Sequence, residues 1–497
     1  MTYAAGDDPR RWITLAIVVT AVVIAALDST VLNVAIPTIL KDFDTTLSSL
    51  QWVITGYSLT FAACLIIGGR LGDIFGARRM FIIGAALFGV GSLVASLSTG
   101  VISLVVGEAV IEGLGASLML PATLGILSST FVGQERATAF AAWGATLGAA
   151  VAFGPLLGGF LTTNYSWRWA FRLNVIIVPF AIAGALLFMR RVPVSGKRER
   201  IDVPGALLIA SGMFCLVFAI SEGATYGWWV PAKTLTIGGI GVWPEARAVS
   251  IVPFAFAAAL VLLVGFYRVE RARERADRDP LFEFSQLSHL GFRWGLATLF
   301  LLAMGQIAFL FILSVFLQEH QHLSAVETGL WLVPSGLFIV AGSQVGSRLT
   351  RRIGTTGVVR AGLIMEALGL ASLALVVKPS LTFVELLPGF ALFGVGIGFA
   401  GSQLTNVILS DVDPEKSGAA SGANTTVRMI GSSLGIAIIS LLLAADGARV
   451  PLMFATAVVV LGASLSFLIP NVGPATEPAR VELDREAELS AESATLP

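Results

Sequence analysis

From Trp12 to Pro470 the chain alternates between apolar runs of about 18 to 25 residues and short polar or basic turns. Each run is close to the ~20 residues a helix needs to cross a ~30 Å hydrocarbon layer, and none shows the two-residue alternation of a membrane strand. The pattern predicts fourteen membrane helices, centred near residues 24, 59, 88, 112, 149, 178, 212, 258, 304, 338, 367, 395, 434 and 460. The opening "MTYAAGDDPRRWITLAIVVTAVVIAALDST" has no small-residue cleavage site, so a retained first helix is expected rather than a signal peptide. Between Trp228 and Ser250, "WWVPAKTLTIGGIGVWPEARAVS" is short and rich in Gly and Pro, which predicts a long outer loop able to dip into the interface. The acidic, aromatic-free segment after Pro470 has little to bury and is expected to be disordered.

Composition points the same way: over 497 residues, 56% hydrophobic and 13% charged, with a mean hydropathy of +0.85, leave too much apolar surface for an aqueous globule. Formal net charge is zero, so no global field argues for a nucleic-acid partner. The local distribution is more informative. Arg10, Arg11, Arg78, Arg79, Arg136, the runs 190–200 and 268–278, Arg348, Arg351, Arg352, Arg360 and Lys416 fall on one side, about twenty basic groups against about six opposite. Both termini are therefore expected in the cytoplasm of a multi-pass protein. The excess of arginine over lysine, 27 to 5, points to a GC-rich bacterial genome, and a bacterial plasma or inner membrane is the expected location. Cys64 and Cys215 lie inside apolar runs, and His320 and His322 share one short loop, so neither a disulfide framework nor a metal centre is expected. An enzyme is not expected either, for no nucleophile triad occurs and "GRLGDIFG" lacks the Gly-Lys-Ser/Thr ending of a phosphate loop. No cofactor is implied.

An internal echo organises the helices. "GGRLGDIFG" (68–76) and "GSRLTRRIG" (346–354) match at an offset of 278 residues through Gly68/Gly346, Arg70/Arg348, Leu71/Leu349 and Gly76/Gly354. "GLGAS" (113–117) and "GIGFA" (396–400) pair the fourth and twelfth spans. Corresponding helices are thus eight apart, which predicts two six-helix bundles with two helices inserted between them, the layout of a rocking transporter with its site at the bundle interface. The expected divisions are 1–190, 191–280, 281–471 and a tail over 472–497.

Glycines mark two motifs. "GATLGAAVAFGPLLGG" places Gly144, Gly148, Gly154, Gly158 and Gly159 along the fifth span, interrupted by Pro155. Close structural packing is one reading; a hinge-like helix at a sliding interface is the other. "GGRLGDIFGARR" gathers Gly69, Asp73, Gly76, Arg78 and Arg79 between the second and third spans. Gly76 permits a tight reversal, and Asp73 can pair with a basic group or cap a neighbouring helix end, so a latch is expected. An ordinary basic turn accounts for the two arginines but not for the glycine spacing.

Acids inside the membrane are costly and mark function by default. Asp28, in "LDSTVLNVAIP", lies about eight residues before the outer end of the first span, roughly 12 Å deep. Glu108 enters the fourth span at similar depth, and Glu112 follows four residues on. A carboxyl held out of water beside another takes up a proton more readily than one in solution, so the three are candidates for proton coupling and substrate binding. A structural hydrogen bond, or snorkelling of Glu108 to water, is the alternative. In the second bundle Glu366 and Arg428 are secondary charges; Arg428 can pair with a carboxylate or bind an anionic group of a substrate. Trp52, Tyr57, Phe153 and Phe309 are candidates for pocket walls or for ordinary core and lipid-facing rings.

Together these residues resemble the major facilitator superfamily, in particular its fourteen-helix branch of drug:proton antiporters. "LDSTVLNVAIP" is similar to that branch's first-helix signature, "GRLGDIFGARR" to the superfamily loop motif and "GPLLGG" to the antiporter motif of helix five, while "WRWAFRLNV", "SEGATYGWW" and "LVPSGL" also fit. The resemblance implies an all-helical transporter: a proton-coupled antiporter that exports amphipathic compounds by alternating access, as a monomer in the bilayer with protons and a small molecule as its partners. One departure stands out. Where the family's helix-four motif carries an arginine four residues before the glycine and a glutamine next to it, this chain has Ala109 and Glu112 before Gly113. Extra acids and a missing arginine make a cationic substrate the electrostatic expectation. A narrow exporter of one antibiotic or metabolite, and a non-transporting sensor on the same fold, are the rival readings.

Overall fold

A computed structural model describes residues 9–45, 47–190, 202–237, 240–276, 278–378, 381–410, 412 and 416–471. The acidic tail and most of the basic run after Arg190 lie outside the described residues. Fourteen long helices account for most of what is described: α1 (Arg11–Asp42), α2 (Leu47–Phe75), α3 (Ala77–Ser96), α4 (Val101–Thr130), α5 (Gly133–Asn164), α6 (Trp169–Phe188), α7 (Val203–Tyr226), α8 (Ile251–Arg275), α9 (Leu290–Glu319), α10 (325–353), α11 (355–376), α12 (Phe383–Ser410), α13 (Ser417–Asp446) and α14 (Arg449–Ser466). Each is long enough to span the apolar layer.

Local chemistry sets several boundaries. Gly76 and Gly354 both take positive φ, +94° and +74°, and reverse the chain between α2 and α3 and between α10 and α11. Asp202 caps α7 by accepting from Gly205 N at 3.0 Å, and Ser324 with Glu327 forms a capping box on α10. The long outer loop expected between α7 and α8 carries a β-hairpin, β1 (Leu235–Ile237) antiparallel to β2 (Ile240–Trp243). Ser250 N donates to Trp229 O at 2.9 Å and draws the two ends of that loop together.

Two six-helix halves, α1–α6 and α9–α14, repeat each other in detail. Gly84 and Gly91 of α3 meet the backbone of α4; Gly362 and Gly369, each 278 residues further on, meet the backbone of α12 from α11. Small residues at both crossings let the helices approach within backbone contact. Arg78 of α3 donates to the carbonyls of Ala185 and Leu186 at the end of α6, at 2.9 and 2.7 Å. Arg360 of α11 likewise donates to Ser466 O and Ile469 O at the end of α14, at 3.3 and 3.0 Å. In both halves a cation satisfies the open carbonyls of a helix C-terminus, where it is also favoured electrostatically. Of the inserted pair, α7 packs on α2 and α13, with the Trp52 ring stacked on Phe218, and α8 packs on α7.

The halves are joined at the end that carries the basic turns. There the Asp73 carboxylate accepts from Gly418 N and Ala419 N, while Gln134 of α5 donates to Ser347 O and accepts from the Thr350 hydroxyl of α10. Deeper in, Gln403 of α12 donates to Ala137 O at 3.1 Å.

Candidate functional site

Among the described residues, two features stand out in the membrane interior. The first is acidic. A π-helical stretch over Val105–Glu112 interrupts α4, and Glu108 and Glu112 lie on it. Such wide turns are uncommon and recur at functional sites. The glycine contacts explain how the site is assembled: the space beside Gly91 is filled by Glu112 Cγ and the backbone of Gly107, and Gly107 in turn abuts Ala95. Helix α3 is thereby pressed against the wide turn.

Asp28 of α1 completes the cluster. Carboxylate oxygens of Asp28, Glu108 and Glu112 lie within 4.8 Å of one another, and the three residues are 2%, 1% and 0% exposed. Asp28 Oδ1 accepts from the Asn174 amide of α6 at 2.7 Å. Asp28 Oδ2, Glu108 Oε2, both Glu112 oxygens and the buried Ser92 hydroxyl have no hydrogen-bond partner among the described residues. Three ionised carboxylates at that spacing repel by roughly 4 kcal/mol per pair at an effective dielectric of ~20, so the cluster needs positive charge to compensate it. Protons can supply it, and so can a hard cation, although three carboxylates fall short of the six or more oxygens that Mg²⁺ or Ca²⁺ takes.

The second feature is a cavity of about 220 Å³ between the halves, with Trp143, Gly144 and Leu147 of α5 on one wall and Gln306, Phe309, Phe393 and Arg428 among the residues opposite. Phe309 and Phe393 stack at 3.7 Å between centroids, and Trp143 donates through its indole nitrogen to Thr123 at 3.1 Å. Arg428 of α13 is the one charged side chain among the described lining residues. None of the three acids lines this space. The extra acids thus lie in the first half and apart from this lining, whose described charge is positive.

The other residues singled out from the sequence are dispersed. Gly144 is pressed against Ser402 of α12, and Gly158 against Val31 of α1; Gly154 and Gly159 are also buried. The helix continues through Pro155 rather than breaking there, and the side chains of Gly148 and Pro155 lie outside the described residues. Gly69 meets the Gly418 backbone beside Asp73, whereas Arg79 is exposed. Glu366 is fully buried on α11, near Gly305, with no partner for either oxygen. Among the candidate wall aromatics only Phe309 lines the cavity; Tyr57 stacks on Phe61, and Phe153 is exposed.

Two buried polar groups, Asn174 and Glu222, and the half-buried Gln306 escaped the sequence reading. Asn174 sits within the quoted "WRWAFRLNV", and an amide carries no charge to attract notice. Glu222, in "SEGATYGWW", accepts from the Thr55 hydroxyl of α2 at 2.6 Å; its position inside an apolar run was the available signal. Gln306 has no such signal, because an isolated glutamine in a long span is compatible with either face.

The model of the Major Facilitator Superfamily matches residues 18–436. The chain is 34% identical to the probable actinorhodin transporter of Streptomyces coelicolor, over 88% of this chain and 74% of that protein. It is 31% identical to the tetracenomycin C resistance and export protein of Streptomyces glaucescens, over 89% and 78%. Among solved structures, the human organic anion transporter MFSD10 (TETRAN) superposes with a TM-score of 0.64 at 14% identity, covering 92% of this chain and all of that one, a likeness of fold.

Proposed function

The chain belongs to the Major Facilitator Superfamily, and from that premise we propose that it is a proton-coupled exporter of amphipathic antibiotics or related toxic compounds. It is a multi-pass membrane transporter of small molecules rather than an enzyme. Coupling falls to Asp28, Glu108 and Glu112. The observation that carries this reading is their convergence from α1 and α4 into one water-poor cluster with a single described donor, Asn174. Protons entering the cluster balance its charge, and their release to the other side returns the transporter to a state that binds substrate.

In this reading the monomer sits in a bacterial plasma membrane with the basic end in the cytoplasm. The junctions at Asp73 and Gln134 then close the cytoplasmic side, and their rupture opens it. Helix α5, packed on both α1 and α10, is the element across which the halves slide. A narrow range of substrates is favoured by the relatives named for single antibiotics, actinorhodin and tetracenomycin C.

The test is exchange in everted vesicles energised by a proton gradient. Asp28→Asn, Glu112→Gln and the double variant are expected to abolish gradient-driven uptake while protein level and folding persist. Full retention of exchange in all three overturns the assignment. Correct insertion without flux of any compound in a broad antibiotic panel would point instead to a sensor.

A further inference from the structure

We infer that the cavity between the halves takes compact aromatic compounds bearing an anionic oxygen, which seats on Arg428. The inference rests on the exporter reading above but not on which group carries the proton.

Arg428 is a guanidinium inside the membrane whose described partners are all neutral and all distant: Gln306 Oε1 at 3.3 Å, Thr405 Oγ1 at 3.4 Å and Gly401 O at 3.5 Å. Its Nε is buried and has no partner. No carboxylate of the described residues stands within ion-pair distance: Glu366 attracts the guanidinium only from beyond that range, and neither of its oxygens has a hydrogen-bond partner. A cation in a low-dielectric interior is stable only when paired or hydrogen-bonded, and these three long contacts to neutral acceptors leave the Nε donor and one further N–H unused. The side chain opens onto the cavity, so the missing anion can come from there. A planar carboxylate or phenolate matches the guanidinium fork in two parallel charge-assisted bonds.

The rest of the wall defines the body of the compound. Phe309 and Phe393 present a stacked aromatic pair, while Trp143, Leu147 and Ile397 add apolar surface. At about 220 Å³ the space lies below the ~300–1,000 Å³ of drug-sized pockets, which favours a compact, flat molecule. Discrimination follows from the unused donors. A neutral isostere leaves them unpaired, and a cation adds like-charge repulsion.

The experiment measures equilibrium binding to the full-length protein in nanodiscs at neutral pH, without a proton gradient, by calorimetry with three naphthalene probes of one shape: 2-naphthoate, 2-naphthamide and 2-naphthylmethylammonium. Wild type is expected to bind the anion about ten- to hundred-fold tighter than the amide and the cation weakest. Arg428→Gln is expected to remove that preference while keeping amide affinity, which also reports an intact fold, and Arg428→Lys to restore part of it. Equal affinity for anion and amide, preference for the cation, or an unchanged preference in Arg428→Gln overturns the inference. Should Arg428→Gln unfold, Glu366→Gln decides: a guanidinium held as the structural partner of Glu366 predicts that the anion preference rises sharply when that acid is neutralised from an initially negligible value, whereas a substrate-reading Arg428 shows the preference in wild type already. Because no gradient is applied, failure here leaves proton coupling standing, and loss of coupling in the vesicle assay leaves the binding preference standing.

Discussion

The Asp73 carboxylate accepts hydrogen bonds from the backbone amides of Gly418 and Ala419, at 2.6 and 2.8 Å, so a turn in the first half caps the start of α13 in the second. An acid at a helix N-terminus satisfies open N–H groups and meets the positive end of the dipole. The joint holds the two halves together at the basic end.

Asp73→Ala therefore weakens the closed arrangement. Loss of such a cap costs about 0.5–2 kcal/mol, enough to shift the ratio of closed to open molecules several-fold. A cysteine introduced at Ser347, which is buried at the same end, is expected to react faster with maleimide in the Asp73→Ala background. Unchanged labelling would show that the cap does not hold that end shut.

Gly91 sets the distance between α3 and the acidic cluster. A side-chain carbon there collides with Glu112 Cγ and the Gly107 backbone, and overpacking of this kind costs about 1–3 kcal/mol. Gly91→Ala is expected to lower thermal stability and to impair gradient-driven exchange. Gly72→Ala serves as the comparison, since nothing lies within 4 Å of the added carbon and alanine is the better helix former. Equal behaviour of the two variants would remove the packing explanation.

Asn174 supplies the described hydrogen bond to Asp28. Replacing it with leucine leaves a buried acceptor without that donor, a penalty of about 1–3 kcal/mol. Asn174→Leu is expected to slow the collapse of an imposed proton gradient on addition of substrate, with partial recovery in Asn174→Ser. Wild-type rates in Asn174→Leu would show the amide to be dispensable to the cycle.

At the opposite end of the molecule, beyond the apolar stretch of α1, the indole N–H of Trp167 and the Arg168 guanidinium hold the Asp42 carboxyl below the usual carboxylate range. Because its folded value is depressed, the stabilisation is present above the unfolded carboxylate range near ~3.9 and is lost as pH falls through the folded value. Asp42 is 45% exposed, so solvent screening keeps the effect well under about 1 kcal/mol. Thermal melts of wild type and Asp42→Asn are expected to differ slightly at neutral pH and to converge in acid; a gap that widens on acidification contradicts this account.

Much of the fold was legible because the solvent dictates it. A hydrocarbon layer of fixed thickness demands long apolar helices, so span count and the 278-residue echo stand in the chain itself, and the reversal at Gly76 recurs at Gly354 for the same backbone reason. The β-hairpin before α8 was missed because its strands are only three and four residues long. Depth along a helix was legible too, which is why Asp28, Glu108 and Glu112 could be named as buried acids. Facing was not. Periodicity is weak in helices that are apolar all round, and partners 80 or more residues apart in the chain leave no trace in local pattern.

Sequence alone determined that this protein crosses a membrane many times, that its two halves repeat, and that it carries charges where charge is expensive, since hydrophobic length and residue type are properties of the chain. Tertiary structure decided which charges meet. It brought Asp28 to the wide turn of α4, seated Asp73 on α13 and turned Arg428 toward the space between the halves, because only packing places side chains from distant helices within reach of one another.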